Sequence, residues 1–316
     1  MIPVLIASLF IPVFQTPAPP LARPQLTWSY VPQRVYDSRR KGFSDFESML
    51  ADLARADVVF LGERHDDPGT HRLELAVLEG LTHRRVPLVL ALEMFERDVQ
   101  PLLDLYLAGT ITEDQFLAGS RPWPHYASDY RPLIEFAKAH HIPVIASDVP
   151  RRIASDVSKS GMAAIESLGS DRPLAAREPQ CPTTGDYYGR FMESMGSGHP
   201  PAAGDNAADS RARTDRFYLA QCLKDETMAE SIAEAWQKNA ARRAAVVHVN
   251  GSFHSDYAEG TAASVLRRLS GRRIAVVAFV PVDNIDAETP DADAARLGDY
   301  VVYTVKPIIG VDPPVR

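Results

Sequence analysis

Two Gly-x-x-His tetrapeptides are the clearest chemical signal in the sequence. Gly62-Glu63-Arg64-His65 follows the apolar run 58–61, and Gly251-Ser252-Phe253-His254 follows the run 246–250. A β-branched apolar run that stops at glycine and then presents polar groups is typical of a buried strand that gives way to a loop. Because ligands bind at the carboxyl ends of strands in an open α/β sheet, we expect His65 and His254 to converge on one site.

The ends of the predicted strands supply further polar side chains to the same edge. They are Glu63, Glu93, Asp148 and Asn250. Imidazoles and carboxylates are ligands of divalent transition metals, which predicts a metal site formed by His65, His71, His254 and Glu93. The same types of group act as general acids and bases, so Glu63, His65, Glu93 and His254 are also the candidate catalytic residues.

Each of these residues has a structural alternative. Glu93 could equally be a carboxylate that pairs with an arginine or a helix N-terminus, and His71, on a first helical turn, is interpreted more readily as a surface or capping residue. Asp148 could cap the helix that is predicted to start near residue 151. Glu226 is a further candidate to line the site, although a solvated helix face is the favoured interpretation of its segment.

Composition excludes some classes of function. The chain has 316 residues, 45% of them hydrophobic, which is enough for a sizeable core. Its net charge of −7 argues against a general nucleic-acid-binding protein, which would normally be basic. Cys181 and Cys222 lack a metal-like spacing and are interpreted as two unrelated thiols, with one disulfide as the alternative in an exported protein.

The N-terminal residues are almost entirely apolar. Residues 1–14 are too few to span a bilayer but match the hydrophobic region of a signal peptide, although no Lys or Arg precedes them. We predict a signal-like segment with a Pro-rich linker over 1–26, followed by a single domain over 27–316. The protein is therefore expected to be exported, to a bacterial periplasm or cell surface, without a lipid-anchored cysteine and without a transmembrane span.

Apolar runs alternate with segments of helical spacing along the domain. Strands are predicted at 57–62, 87–92, 143–146, 244–249 and 274–280, with a last, edge strand at 300–305. This alternation is typical of parallel βαβ units, so the predicted fold is α/β with a mostly parallel central sheet flanked by helices. A helical or irregular insertion is expected near 150–240, because residues 168–210 are rich in Pro, Gly, Ser and Asp.

Several common catalytic motifs do not occur in the sequence. There is no Gly-x-Ser-x-Gly elbow, no phosphate-binding glycine loop that ends in Lys, and no dinucleotide-binding glycine motif. Aromatic clusters are present at Tyr187-Tyr188 and at Trp123-Pro124-His125-Tyr126. Ordinary loop packing explains such clusters, but Tyr and His are also axial ligands of haem iron.

The ordered set of motifs resembles the haem-uptake ChaN family, which is grouped with the Tiki/TraB proteins and resembles the erythromycin esterases. The matching segments lie in order between about residues 55 and 280. They are Gly62–His65 with His71, Leu92–Arg97, Tyr130–Ala137, Asp225–Ala229 and Asn250–His254.

This resemblance implies an exported bacterial α/β protein of haem or iron acquisition, with a homodimer that helps to enclose haem and a tyrosine as iron ligand. Tyr187, Tyr188 and Tyr218 are candidate ligands by their location. Tiki-like relatives use the two Gly-x-x-His motifs and a strand-end Glu as a metal-dependent peptidase site. No cysteine here matches the lipid anchor that ChaN-like proteins often carry, and the segment 168–210 has diverged.

Three hypotheses follow. The first is a haem-binding protein of iron uptake, with haem as cofactor. The second is a metal-dependent hydrolase, a Tiki-like peptidase or esterase, with a divalent transition metal at the His/Glu cluster. The third is a binding module in which the polar cluster only holds the edge of the sheet together. The resemblance places the first hypothesis ahead, whereas the residues alone favour the second.

Overall fold

A mixed sheet, in which parallel strands dominate, carries the polar loops of the chain. The computed structural model describes residues 30–84, 86–198, 206–286, 290 and 292–306. The predicted signal-like segment and linker, residues 1–26, lie outside these described residues. The described strands are β1 Gln33–Asp37, β2 Gly42–Ser44, β3 Val58–Glu63, β4 Leu88–Glu96, β5 Val144–Asp148, β6 Ala245–Gly251, β7 Ile274–Val282 and β8 Tyr300–Val305.

The order of strands in the sheet is β2-β1-β8-β7-β3-β6-β4-β5. All neighbours from β8 to β5 pair in parallel, whereas β1 pairs antiparallel with both β2 and β8. The predicted α/β class with a mostly parallel sheet is confirmed. The prediction that the last strand lies at an edge is wrong, because the N-terminal strand β1 covers the free side of β8.

Helices cover both faces of this sheet. They are α1 Phe46–Leu53, α2 Pro68–His83, α3 Gln100–Leu107, α4 Glu113–Ser120, α5 Tyr126–Asp129, α6 Arg131–Ala139, α7 Arg151–Ser160, α8 Asp186–Gly198, α9 Ala207–Lys238 and α10 Gly260–Arg268. Val59 and Leu61 of β3 pack with residues of α1, α2 and α6. Val58 and Phe60 point to the other face and pack under α9 and α10, as expected from the alternation of side chains along a strand.

Helix starts follow capping chemistry. Thr112 and Gln115 form a capping box at the start of α4, and Asp67 caps α2, whose first residue is Pro68. Helix α1 begins at Phe46, after Asp45, whose side chain accepts the backbone N–H of Ser48 in the first turn.

The insertion between β5 and β6 is largely helical. It contains α7, two short 3₁₀ helices at Met162–Ser167 and Gly169–Leu174, α8 and the 32-residue α9. Cys181 and Cys222 form a disulfide that ties the segment before α8 to α9. The interpretation of two unrelated thiols is therefore wrong; residues far apart in sequence became neighbours through the fold of the insertion. Among the described residues, no helix combines the length and apolar character that crossing a membrane requires.

Candidate functional site

The two Gly-x-x-His motifs lie side by side at one edge of the sheet. Strands β3 and β6 are parallel neighbours, and their register places Gly62 beside Asn250 and Glu63 beside Gly251. Both strands end at the same edge, so the loops that follow them share one mouth of the sheet. The two motifs therefore converge in the structure, as expected from the sequence.

Each glycine makes room for the other motif. A Cβ on Gly62 would lie 2.9 Å from Oγ of Ser255 and 3.3 Å from Cα of Ser252, in the loop after β6. A Cβ on Gly251 would lie 2.8 Å from both Cε1 and Nε2 of His65. At Gly62 the approach to the backbone of Ser252 leaves little room for a side chain, and at Gly251 a side chain would displace the ring of His65. The two glycines therefore allow the motifs to approach each other closely.

A cavity of about 640 Å³ opens between the two motifs. Its walls combine polar groups from the strand ends with aromatic rings from the surrounding helices and loops. They include Glu63, Arg64, His65, Asp66, Glu93, Trp123, Phe191, Ser194, Gln221, Lys224, Gly251, Ser252, Phe253 and His254. Its volume lies within the range of small-molecule and cofactor pockets, about 300–1,000 Å³.

On one side of the cavity, buried carboxyl groups surround two imidazoles. We call this side the carboxyl half; its members are Glu63, His65, His71, Glu74, Asp129 and Tyr130. Glu63 Oε1 accepts the hydroxyl of Tyr130 at 2.8 Å and lies 2.5 Å from Nδ1 of His65. Behind it, His71 Nδ1 lies 3.1 Å from Oε2 of Glu74. Among the described residues, no Lys or Arg forms an ion pair with Glu63, Glu74 or Asp129.

Burial raises the pKa values of two of these acids, Glu63 and Glu74. Burial raises the pKa of Glu63 to about 8, and the negative charge of Glu74 adds to the effect. Burial also raises the pKa of Glu74 to about 8, with added repulsion from Asp129 and Asp67. The hydrogen bond to Glu63 raises the pKa of His65. Near neutral pH this half holds protons that exposed carboxylates would have released.

The opposite side of the cavity contains an ammonium group. We call it the lysine half; its members are Glu93, Asp148, Lys224, Asp225 and His254. Lys224 Nζ of α9 lies 3.2 Å from Oε1 of Glu93 and 3.1 Å from Oδ2 of Asp148. His254 bridges Glu93, at 3.3 Å from Nε2, and Asp225, at 2.7 Å from Nδ1. The backbone N–H of Gly251 donates to the other oxygen of Glu93 at 2.7 Å.

For Glu93 and His254, these charged partners outweigh the effect of burial on the pKa. Burial alone would raise the pKa of Glu93, but the charges of His254 and Lys224 outweigh it and hold that pKa well below its usual range. Burial alone would lower the pKa of His254, but Glu93 and Asp225 raise it to about 10. Burial raises the pKa of Asp148 to about 6 although Lys224 opposes the shift. His254 is therefore an imidazolium at neutral pH.

Several predicted site residues have other surroundings than expected. His71 is fully buried among carboxyl groups, so its interpretation as a surface or capping residue is wrong. Glu226 does not line the cavity: its oxygens accept from Ser264, Arg267 and Arg268 of α10. The neighbouring Asp225 contacts His254 instead, and the segment is buried rather than solvated.

Two further residues have supporting contacts. Asn250 is buried and donates to the backbone oxygen of Gly251 and to Ser255, so it braces the second loop behind the cavity wall. Asp148 accepts the N–H of Val149 and pairs with Lys224; the residue at the N-cap of α7 is Pro150. Of the four predicted metal ligands, Glu93 and His254 lie together, whereas His65 and His71 belong to the carboxyl half.

The three candidate haem-ligand tyrosines pack beside the cavity in one aromatic cluster. The hydroxyl of Tyr187 donates to Asp225 at 2.6 Å, and that of Tyr218 donates to the backbone oxygen of Pro182 at 2.8 Å. Tyr188 pairs with Asp215. None of the three is among the residues that line the cavity. Each hydroxyl would have to leave a protein partner before it could bind iron.

Sequence reasoning missed four residues that shape the site: Glu74, Trp123 as a wall, Tyr130 and Lys224. Lys224 lies within a helix that carries both exposed and buried charged residues, so only the fold reveals its position. Tyr130 and Glu74 could have been found, because Tyr130 opens a quoted motif and Glu74 follows His71 by three residues on a predicted helix, which places the two side chains on one face. Trp123 contacts the ring of His65 edge-on, with centroids 5.0 Å apart.

Comparison with known proteins gives a family match over most of the domain. The model of a family described as haem-binding uptake, Tiki superfamily, ChaN matches residues 49–265. A solved structure of ChaN from Campylobacter jejuni, described as showing cofacial haem binding, superposes with a TM-score of 0.63 at 17% identity. The superposition covers 85% of this chain and 96% of that one. At this identity the likeness shows the fold.

Two other relatives are more distant. An erythromycin esterase mutant in its open conformation superposes with a TM-score of 0.45 at 14% identity, over 87% of this chain and 83% of that one. Protein RETICULATA-RELATED 5, chloroplastic, of Arabidopsis thaliana is 23% identical over 286 residues. That alignment covers 83% of this chain but only 37% of the length of the plant protein.

Proposed function

The chain belongs to the ChaN family of haem-binding uptake proteins in the Tiki superfamily, and from this premise we propose that it binds haem in the cavity between the carboxyl and lysine halves. The observation that carries the proposal is the exposure of His65 to the cavity and the hydrogen bonding of its ring. Its side chain is 50% exposed at the cavity wall, and its Nδ1 is held by Glu63. Among the described residues, Nε2 of His65 has no hydrogen-bond partner.

This arrangement suits an axial ligand of haem iron. Metal-bound histidines usually donate their second ring nitrogen to a carboxylate or backbone oxygen, which fixes the ring and makes the free nitrogen a better ligand. His65 has that partner in Glu63, which is itself oriented by Tyr130. Tyr187, Tyr188 and Tyr218, the alternatives by location, have hydroxyls engaged elsewhere. We therefore place His65 ahead of the tyrosines as the iron ligand.

The rest of the cavity matches the chemistry of haem. Trp123, Phe191 and Phe253 offer apolar faces to a flat macrocycle, and Arg64 offers a cation to its carboxylates. When bound, haem supplies the iron and the conjugated ring. The chain contributes the imidazole of His65, the aromatic walls that exclude water, and the acid–base state of the two halves.

A haemin titration of the full chain tests this proposal. We expect a saturable Soret shift at micromolar haemin, and binding at least about tenfold weaker in His65→Ala because an iron–imidazole bond is lost. The matched control is His140→Ala, which removes an exposed histidine that stacks on Phe136 at the end of α6. Undetectable binding by the folded wild type, or equal losses in the two variants, would contradict the proposal.

We also propose that the protein is exported and acts in haem or iron uptake as a homodimer. The Cys181–Cys222 disulfide supports an oxidising compartment, because such bonds are rare where thiols are kept reduced. Cell fractionation combined with thiol labelling tests this: the bulk of the protein should be outside the cytoplasm with both cysteines blocked. Sedimentation with and without haemin tests the dimer, which should form or strengthen when haemin is added.

A second candidate function is hydrolysis of an amide or ester, with Glu63, His65, Glu93 and His254 as catalytic residues. Two His–carboxylate pairs, His65 with Glu63 and His254 with Asp225, face the same cavity. One imidazole with a free nitrogen and one imidazolium are suitable as general base and general acid. A panel of amide and ester substrates, assayed with and without divalent metal, should reveal activity that His65→Ala and His254→Ala both abolish.

A further inference from the structure

The carboxyl half contains three buried acids and, among the described residues, no Lys or Arg that pairs with them. Glu63, Glu74 and Asp129 are buried within reach of one imidazole, that of His71, at 3.5, 3.1 and 3.6 Å. In the lysine half, Lys224 is such a partner. Bringing an unpaired carboxylate into the interior costs several kcal/mol, so either protons or a cation must accompany these groups.

Two of the carboxylate oxygens have no donor. Glu63 Oε2 and Glu74 Oε1 are fully buried, and no donor among the described residues reaches them while both carboxyl groups are ionised. A proton on one of the two acids would be shared with the other. Glu63 is fixed through its other oxygen, which accepts from Tyr130 and His65. Glu74 Oε2 faces Nδ1 of His71. Buried acceptors without a donor are rare in folded proteins, and an absent ion is one of the standard explanations.

The orientation of His71 adds an independent observation. Its Nε2 lies 3.2 Å from the backbone oxygen of His65, which can only accept, so this nitrogen carries the proton. In the neutral ring, Nδ1 then presents a lone pair to the oxygens of Glu63 and Glu74. Three acceptors thus face one another. A ring nitrogen anchored to a backbone carbonyl while the other faces carboxylates is the usual arrangement of a metal-bound histidine.

We propose that Glu63, His71 and Glu74 hold one divalent transition-metal ion behind the haem cavity. One ligand atom from each residue lies within 4.8 Å of the others, and all three residues are buried. Two carboxylates with one imidazole suit Zn²⁺, Mn²⁺, Co²⁺ or Fe²⁺ better than Ca²⁺ or Mg²⁺, which prefer oxygen ligands alone. This site shares His71 with the predicted set of His65, His71, His254 and Glu93, but its other two ligands are Glu63 and Glu74. Glu93 is instead paired with Lys224, which supplies the positive charge there.

Such an ion would act on the cavity through Glu63. One oxygen of Glu63 would bind the ion while the other holds Nδ1 of His65, so the ion would fix the orientation of the cavity histidine. Its role here is one of positioning, since Glu74 and His71 do not line the cavity. The proposal does not depend on haem: a protein that fails to bind haemin can still take up this ion.

Metal titration of the chelator-treated full chain tests the site. The probes are ZnCl₂ and CoCl₂, each alone, followed by calorimetry and, for Co²⁺, by its visible absorption. We expect one equivalent to bind to the wild type and binding more than about 100-fold weaker in Glu74→Gln, since even outer-sphere partners are worth about 10- to 100-fold. His71→Asn, which also has no place in the cavity wall, should give the same loss.

Glu93→Gln is the matched control, because it neutralises an equally buried carboxylate in the lysine half. Glu93→Gln should bind the metal with an affinity within about threefold of that of the wild type, since Glu93 is not a ligand of the proposed site. Circular dichroism establishes that each variant is folded. The proposal is overturned if the folded wild type binds neither metal, in which case protons alone fill the site. It is also overturned if Glu93→Gln abolishes binding while Glu74→Gln does not.

Discussion

The carboxyl half and the lysine half lie at the same edge of one sheet and contain similar groups, yet they solve the problem of buried charge differently. Each half contains a Gly-x-x-His histidine and several buried carboxyl groups. In the lysine half, Lys224 and the imidazolium of His254 compensate the negative charge of Glu93. In the carboxyl half, burial raises the pKa values of Glu63 and Glu74 to about 8, and no Lys or Arg among the described residues pairs with either group.

The difference arises from where the helices lie. The long helix α9 passes over the lysine half and delivers both Lys224 and Asp225 to it. The carboxyl half is instead closed by α2, α5 and α6, which deliver His71, Glu74, Asp129 and Tyr130. We infer that the lysine half contains its own compensating cations, whereas the carboxyl half is left with capacity for protons or an ion.

The largest expected effect comes from removing the lysine. Lys224→Met leaves Glu93 and Asp148 without their ammonium partner and should lower the free energy of unfolding by about 3 kcal/mol. This value is at the lower end of what breaking buried pairs costs, because the side chain of Lys224 is 25% exposed. Urea denaturation at neutral pH measures it, with Lys159→Met, an exposed lysine near Asp156, as the control. A loss no larger than in the control would mean that the lysine half is not neutralised by Lys224.

The second-largest expected effect is the stabilisation of the protein by a metal ion bound in the carboxyl half. At 100 times its dissociation constant, an ion that binds only the folded state adds about 2.7 kcal/mol to the free energy of unfolding. We expect ZnCl₂ to stabilise the wild type and Glu93→Gln by this amount, but not Glu74→Gln. The measurement is urea denaturation with and without the metal. Equal stabilisation of all three proteins would place the ion elsewhere.

The stability of the metal-free protein should depend on pH through the acids of the carboxyl half. Glu63 and Glu74 bind protons more tightly in the folded state than in the unfolded state. Their contribution to stability is therefore complete below pH 4.5, the ordinary pKa of Glu, and is lost as pH rises through about 8. We expect the wild type to lose about 2 kcal/mol more than Glu74→Gln between pH 5 and 6.5.

Only the difference between the two proteins is diagnostic in that experiment, because Asp148 and Asp256 also have pKa values raised by burial. Parallel curves for wild type and Glu74→Gln would contradict the assignment of raised pKa values to the carboxyl half. Chelator in every buffer keeps adventitious metal from masking the effect.

The smallest effect concerns the imidazolium of the lysine half. Because the pKa of His254 is raised to about 10, its contribution to stability is complete below pH 6.5 and is lost as pH rises through 10. Between pH 7 and 8 the wild type should lose about 1 kcal/mol more than His254→Gln. A variant that loses as much as the wild type over this interval would indicate that His254 is neutral in the folded protein.

The sequence was sufficient to predict what is local. Apolar runs that stop at glycine predicted β3 and β6 closely, and the parallel geometry brought His65 and His254 to one edge as expected. What it could not provide depends on long-range packing. The position of β8 inside the sheet depends on β1, which lies more than 260 residues earlier in the chain.

The orientation of the polar residues of α9 also could not be predicted from the sequence. The helical repeat alone does not decide whether Asp225 or Glu226 turns toward the sheet, because α9 is buried on more than one side. The tertiary contacts decide it: Asp225 reaches His254, and Glu226 reaches the arginines of α10. The disulfide between Cys181 and Cys222 likewise depends on how the insertion folds over α9.

The most direct test of the account is the electron paramagnetic resonance spectrum of the ferric haem complex, recorded for the wild type, His65→Ala and the three variants Tyr187→Phe, Tyr188→Phe and Tyr218→Phe. Imidazole and phenolate ligands give different ferric spectra, so the spectrum identifies the axial ligand. We expect an imidazole-type spectrum that His65→Ala abolishes and that the tyrosine variants retain. A phenolate-type spectrum that survives His65→Ala and disappears in one tyrosine variant would contradict it.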